Sequence, residues 1–213
     1  MLRCLVLCAL TLGSAIVLAE AKPLTKNQSS SEKEIELALQ AAPVHLRKEA
    51  TVYVFGKRGY EKARTGTNGF SCLVNRDGTQ NGSPNVFPTC WDAEGSRTIL
   101  PVMLRVGELI AQGKSAAEIK NDIAAGFDQG RFHSPAKTGI AYMLAGDVKF
   151  DAKTGQFGTV EFPPHYMIYA PGVSNADIGT TGEAMKQTPG LPFRRCSRYS
   201  RRDREKQNDQ KII

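Results

Sequence analysis

Histidine is scarce in this chain of 213 residues, with only His45, His133 and His165 present. None stands at a ligand spacing from another His, a Cys or a carboxylate, so the familiar zinc-site patterns are excluded. No glycine-rich phosphate loop and no serine at a strand-to-helix elbow occurs, and nucleotide-dependent and α/β-hydrolase chemistry therefore have no local signature. Beyond Ala21 no apolar run approaches the roughly twenty residues that a membrane helix requires, so no transmembrane segment is expected after that point. No internal repeat is visible. Tryptophan occurs once, at Trp91, and cysteine five times.

The first residues carry the strongest positive signal. Arg3 precedes an apolar run from Cys4 to Leu12, apolar residues continue to Leu18, and Ala19-Glu20-Ala21 supplies small residues at the positions a signal peptidase accepts. Residues 1–21 read as a signal peptide, and the predicted location is periplasmic or extracellular. Leu7 before Cys8 excludes the lipoprotein pattern. In that compartment cysteines pair. Cys4 and Cys8 leave with the signal and Cys196 lies near the C-terminus, which predicts a disulfide between Cys72 and Cys90. Closing that loop stabilises the fold by about 3 kcal/mol in the chain-entropy treatment. The competing reading, a redox pair or metal ligands, lacks the two-residue spacing such pairs use.

The net charge of +7 points to an anionic partner only until it is placed along the chain. Between Arg194 and Ile213 stand eight Lys or Arg against three Asp or Glu, so the preceding residues keep only +2. A near-neutral domain gives no electrostatic case for nucleic acid or acidic lipid. Residues 22–30 read as a flexible leader, 31–193 as a single domain, and 194–213 as a basic disordered tail or a shifted reading frame.

Within the domain, Ser31 and Glu34 form a capping-box pattern ahead of an apolar stripe at Ile35, Ala38, Leu39 and Ala42 that Pro43 ends. Strands are expected at 51–55, 60–65 and 70–74, then a surface loop from Asp77 to Pro88. Two helices follow. One carries Ile99 to Ile110 and stops at Gly113. The other opens on Ser115 with Glu118 and closes at Gly130. Strands return at 139–144, 148–150, 156–162 and 166–169. The order predicts an α+β fold, an antiparallel β-sheet with an N-terminal helix and an inserted helical hairpin.

His165 and Asp92 are the candidate catalytic residues. Two prolines aim His165 into a strand, and its ordinary pKa suits proton transfer. Asp92 follows Cys90-Trp91, with Glu94 close behind. The simpler alternatives are a hydrogen-bonded His165, an Asp92 that caps a turn, and a Trp91 packed on the disulfide. Tyr142, Tyr166 and Tyr169 are candidate pocket residues. No cofactor or metal is predicted, and no partner is identifiable.

The segments Ala50-Thr-Val-Tyr-Val54, Thr65-Gly-Thr-Asn-Gly-Phe-Ser-Cys-Leu-Val74, Pro88-Thr-Cys-Trp-Asp92, Gly139-Ile-Ala-Tyr-Met-Leu144 and Pro164-His-Tyr-Met-Ile168 resemble a family of exported bacterial proteins of uncharacterised function. The resemblance covers roughly residues 34 to 180. It implies export and bacterial origin and supplies no catalytic residue. The expectation is an exported soluble domain, non-enzymatic, with a binding or envelope-associated role. The alternative is a hydrolase or metal-dependent enzyme using His165 with Asp92.

Overall fold

The computed structural model describes residues 30–174 and 177–179. The expected signal peptide, almost all of the leader, the end of the domain and the basic tail with Cys196 lie outside these residues. Helix α1 (Ser30–Gln40) and a short α2 (Val44–Arg47) lead into the hairpin β1 (Thr51–Gly56) and β2 (Gly59–Arg64). Strands β3 (Ser71–Asn75) and β4 (Asn85–Trp91) precede three helices, α3 (Ala93–Thr98), α4 (Leu100–Ala111) and α5 (Ala116–Asp128). Strands β5 (Gly139–Met143), β6 (Asp147–Asp151), β7 (Gln156–Phe162) and β8 (His165–Tyr169) complete the described fold.

The fold class is α+β, as the sequence predicts. All eight strands join one sheet with the path β2-β1-β3-β4-β5-β8, and β6 and β7 extend from the lower half of β4. Pairing is antiparallel except between β1 and β3. That parallel pair arises because the chain crosses the start of β1 between β2 and β3. Gly66 makes the crossing, and a Cβ there would meet the carbonyl oxygen of Glu49 at 2.1 Å. Strands β5–β6 and β7–β8 form one long hairpin, kinked at residues 144–146 and at Pro163-Pro164. Leu144 N–H donates to the Ala41 carbonyl, which ties the kink to the end of α1.

Alternation along β3 divides the core. Cys72 and Val74 face α1 and pack with Ala38, Ala41, Ala42, Val52, Val86 and Cys90, the alanines letting the helix approach the sheet closely. Leu73 points the other way, to Trp91, Leu100 and Ala141. Helices therefore cover both faces of β3, which explains its uninterrupted apolar run. Val106, Leu109 and Ile119 join α4 to α5.

Four sequence expectations need correction. Ser31 and Glu34 do not form a capping box: Ser31 lies inside α1, and Glu34 is buried, accepting from Phe55 N–H at 3.0 Å and from Arg76 at 2.9 Å. The expected loop 77–88 ends early, because β4 begins at Asn85. Pro88 is tolerated there because β4's outer side pairs with β6 at Asn85–Val86 and with β5 at Cys90–Trp91. Its missing N–H falls in the gap between those two partners. The helical insertion has three helices rather than two, α3 being the addition. Finally, Trp91 packs on the face opposite the disulfide.

Candidate functional site

Cys72 and Cys90 stand opposite each other in the β3–β4 register and are bonded, with Cα atoms 4.0 Å apart. The bond is a cross-strand staple inside the α1-side core, with both residues fully buried. No other cysteine is present among the described residues.

Asp92 is the hub of a hydrogen-bonded node where three elements meet. It is the N-cap of α3, and its Oδ1 accepts from Gly95 N–H at 2.9 Å. Its Oδ2 accepts from Ile140 N–H at 3.0 Å, which holds the start of β5. The Tyr169 hydroxyl, from the end of β8, donates to Oδ1, and Gly95 N–H also reaches the Tyr169 oxygen at 3.0 Å. Gly139 makes room for this ring, since a Cβ there would lie 2.3 Å from Tyr169 Cε2 and 2.4 Å from Asp92 Oδ2. Beside the node, Glu94 accepts from Ala136 N–H at 2.6 Å and pairs with Arg97 at 2.5 Å. These partners hold its carboxyl below the ordinary value, the Ala136 N–H contributing most.

His165 lies at the other end of β8, opposite Met143, whereas Tyr169 lies opposite Gly139. Four residues of strand separate His165 from the node, about 13 Å. The His165 Nδ1 is 2.9 Å from the Pro163 carbonyl oxygen, and its ring stacks edge-on against Phe162 with centroids 4.9 Å apart. The structure thus does not bring the His165 and Asp92 side chains within hydrogen-bond reach of each other. Each is instead engaged locally. Asp92 acts as the cap that the simpler alternative describes. His45 and His133 are exposed. Among the described residues no group of three His, Cys, Asp or Glu is placed to hold a metal ion.

The three candidate tyrosines separate. Tyr169 is buried in the Asp92 node. Tyr142 stacks on Phe70, centroids 6.2 Å apart, at the margin of the α1-side core. Tyr166, opposite Tyr142 in the β5–β8 register, is 58% exposed, and Ile168 on the same face is 60% exposed.

Two features carry no sequence signal. Arg76 is buried among the rings of Phe55 and Phe150, its guanidinium carbon 4.8 and 4.2 Å from their centroids, and it pairs with Glu34. Burial pushes the Glu34 carboxyl up from its ordinary value, against the opposing pull of Arg76 and of Phe55 N–H. The Tyr60 hydroxyl joins this network, donating to the Val74 carbonyl and accepting from Arg76 N–H. The other feature is a cleft of about 410 Å³ between α1 and the β6–β7 hairpin, lined by Lys33, Glu36, Leu37, Gln40, Phe157 and Val160 among others. It contains neither Asp92 nor His165.

Among the described residues β2, β7 and β8 each pair on one side only, and β8 is the edge beside the Asp92 node. Ile140 exchanges both of its main-chain groups with Asp92 on the β4 side, N–H to Oδ2 and carbonyl to Asp92 N–H at 3.1 Å. By alternation Gly139, Ala141 and Met143 turn toward β8 and meet Tyr169, Met167 and His165. Tyr166 and Ile168 therefore direct their N–H and C=O groups away from the sheet, and no strand lies beyond them among the described residues. Among those residues, too, no helix is long and apolar enough to cross a membrane. Comparison with protein-family models, with curated proteins and with solved structures finds no match to this chain.

Proposed function

We propose that the chain is an exported, non-catalytic binding domain that takes an extended, uncharged segment as an added strand along β8. The observation that supports this most is the coincidence at Tyr166 and Ile168 of exposed apolar side chains with outward-facing backbone groups. Added-strand recognition uses those two elements together: main-chain hydrogen bonds supply affinity and alternate side chains supply selectivity. The Asp92 and His165 hydrogen bonds favour a structural over a catalytic use of both residues. Export, to the periplasm or the extracellular space, is supported by the pattern of Met1–Ala21, by the Cys72–Cys90 bond and by the resemblance to exported bacterial proteins.

A photoreactive amino acid at position 168, or at Lys62 on the opposite sheet edge, tests this in cells exporting the full chain. The reading expects an adduct from position 168 that disappears when Tyr166 is changed to Lys, and none from position 62. Absence of an adduct at 168 overturns it.

A further inference from the structure

We infer that the segment added along β8 is β8 of a second copy of this chain, paired antiparallel about a twofold axis at Met167. The inference rests on the binding reading above and names its partner. The edge strands β2 and β8 differ in a way that bears on this. Edge strand β2 carries Glu61, Lys62 and Arg64, charges of the kind that protect an edge from pairing. Strand β8, His165-Tyr-Met-Ile-Tyr169, contains no Asp, Glu, Lys or Arg. Among the described residues its protection is limited to Pro163-Pro164 before its start, and an edge of aromatic and β-branched residues is a template for another strand.

The strand is complementary to itself. With the axis at Met167, each Tyr166 faces the other copy's Ile168, and these are the residues whose N–H and C=O groups point outward. They exchange main-chain hydrogen bonds reciprocally, as residues in a hydrogen-bonded antiparallel pair do. On the exposed face each Tyr166 ring then lies against a β-branched side chain, a favourable cross-strand combination, and no like charges meet. Pro164 falls opposite Ala170, at the end of the pairing, where its missing N–H matters least. Only one short strand per copy is covered, well below the ~800 Å² per partner of stable complexes, so the dimer is weak and concentration-dependent.

Sedimentation of the purified full chain after signal removal, carrying Cys196→Ser, is the test. A reversible monomer–dimer equilibrium is expected across a concentration series. Ile168→Lys should weaken it about tenfold or more, roughly 1.4 kcal/mol, without lowering the melting temperature. The pair Tyr166→Cys with Ile168→Cys should form an intermolecular disulfide dimer on oxidation, and Lys62→Cys should not. A chain that stays monomeric throughout overturns the inference, as does a dimer indifferent to Ile168→Lys. So does a monomeric full chain that dimerises when cut after Gly179, which would assign the edge to the chain's own later residues. The two readings fail separately: a photo-adduct at 168 whose mass is not twice that of the chain sinks the second copy and leaves the binding surface standing, whereas no adduct sinks both.

Discussion

Replacing Asp92 with Asn separates a structural carboxylate from a catalytic one. Both carboxylate oxygens accept: Oδ1 from Gly95 N–H and the Tyr169 hydroxyl, Oδ2 from Ile140 N–H. Asparagine has one acceptor and one donor end. With its oxygen kept at the α3 N-terminus, its NH2 group is driven against Ile140 N–H, donor facing donor. A part-buried hydrogen bond is lost and a backbone donor is stranded at the start of β5, a cost of about 1–3 kcal/mol. Turning the amide over restores Ile140 but forfeits the helix cap, at about 0.5–2 kcal/mol, and faces NH2 toward Gly95 N–H. Neither orientation satisfies all three donors, so the expected loss is about 2 kcal/mol. For a domain of this size that lowers the melting temperature by roughly 4–8 °C. Asp92→Ala removes the whole set and should cost more.

Urea unfolding of the parent and of Asp92→Asn, Tyr169→Phe and the double variant measures this directly. The midpoint should fall with an unchanged denaturant slope. Because Tyr169 donates to the same carboxylate, the two single losses should not add, leaving a coupling on the order of 1 kcal/mol. His165→Gln should leave stability within ~0.5 kcal/mol of the parent, since among the described residues its side-chain hydrogen bond is to the carbonyl of exposed Pro163, two residues away. An Asp92→Asn protein as stable as the parent would falsify the structural assignment and return the carboxylate to the candidates for chemistry.

Two further outcomes follow from other parts of the fold. Arg76→Met strands the buried Glu34 carboxyl and Glu34→Leu strands the guanidinium, each costing ~3–5 kcal/mol, while the double replacement should cost less than either alone; equal, additive losses in chemical denaturation would show that the two do not act as a pair. In the α5 capping box, Ser115 N–H, with Lys114 and the Ser115 hydroxyl, holds the Glu118 carboxyl down to about 2 from its ordinary 4.5. A depressed folded-state value means the stabilisation is present above 4.5 and is lost as pH falls toward about 2. The acid limb of the stability profile should therefore be shallower in Glu118→Gln, and identical slopes in the two proteins would refute this.

What was legible in the sequence was what short-range chemistry decides. The Ser115–Glu118 capping box forms as read, with the Ser115 hydroxyl and Glu118 carboxylate satisfying each other's backbone donors. Pro101 falls in the first turn of α4, where its missing N–H would have had no partner. Gly130 ends α5 at a φ of 72°. The same local logic misled at Ser31–Glu34, where an identical pattern sits on a helix whose Glu faces the core. Which face of a helix is buried depends on Phe55 and Arg76, 21 and 42 residues further on, and no local pattern contains that. Pro88 misled for a related reason, because a proline is excluded from a strand only where its N–H is needed, and that depends on where β5 and β6 separate.

The candidate site shows the same division more sharply. Asp92 was legible as a cap because capping acts over three residues, from Asp92 to Gly95. Its bond to Tyr169 spans 77 residues, and that contact gives the carboxylate its full load. The two candidate catalytic residues, Asp92 and His165, are separated by the length of β8. Both ends carry a residue able to share a proton, and only the register Gly139↔Tyr169, Met143↔His165 decides which one α3 meets. The same register turns the backbone groups of Tyr166 and Ile168 outward. A shift of one residue would bury those two side chains and expose Met167, so the outward-facing residues of β8 and the separation of His165 from Asp92 are two consequences of one strand alignment.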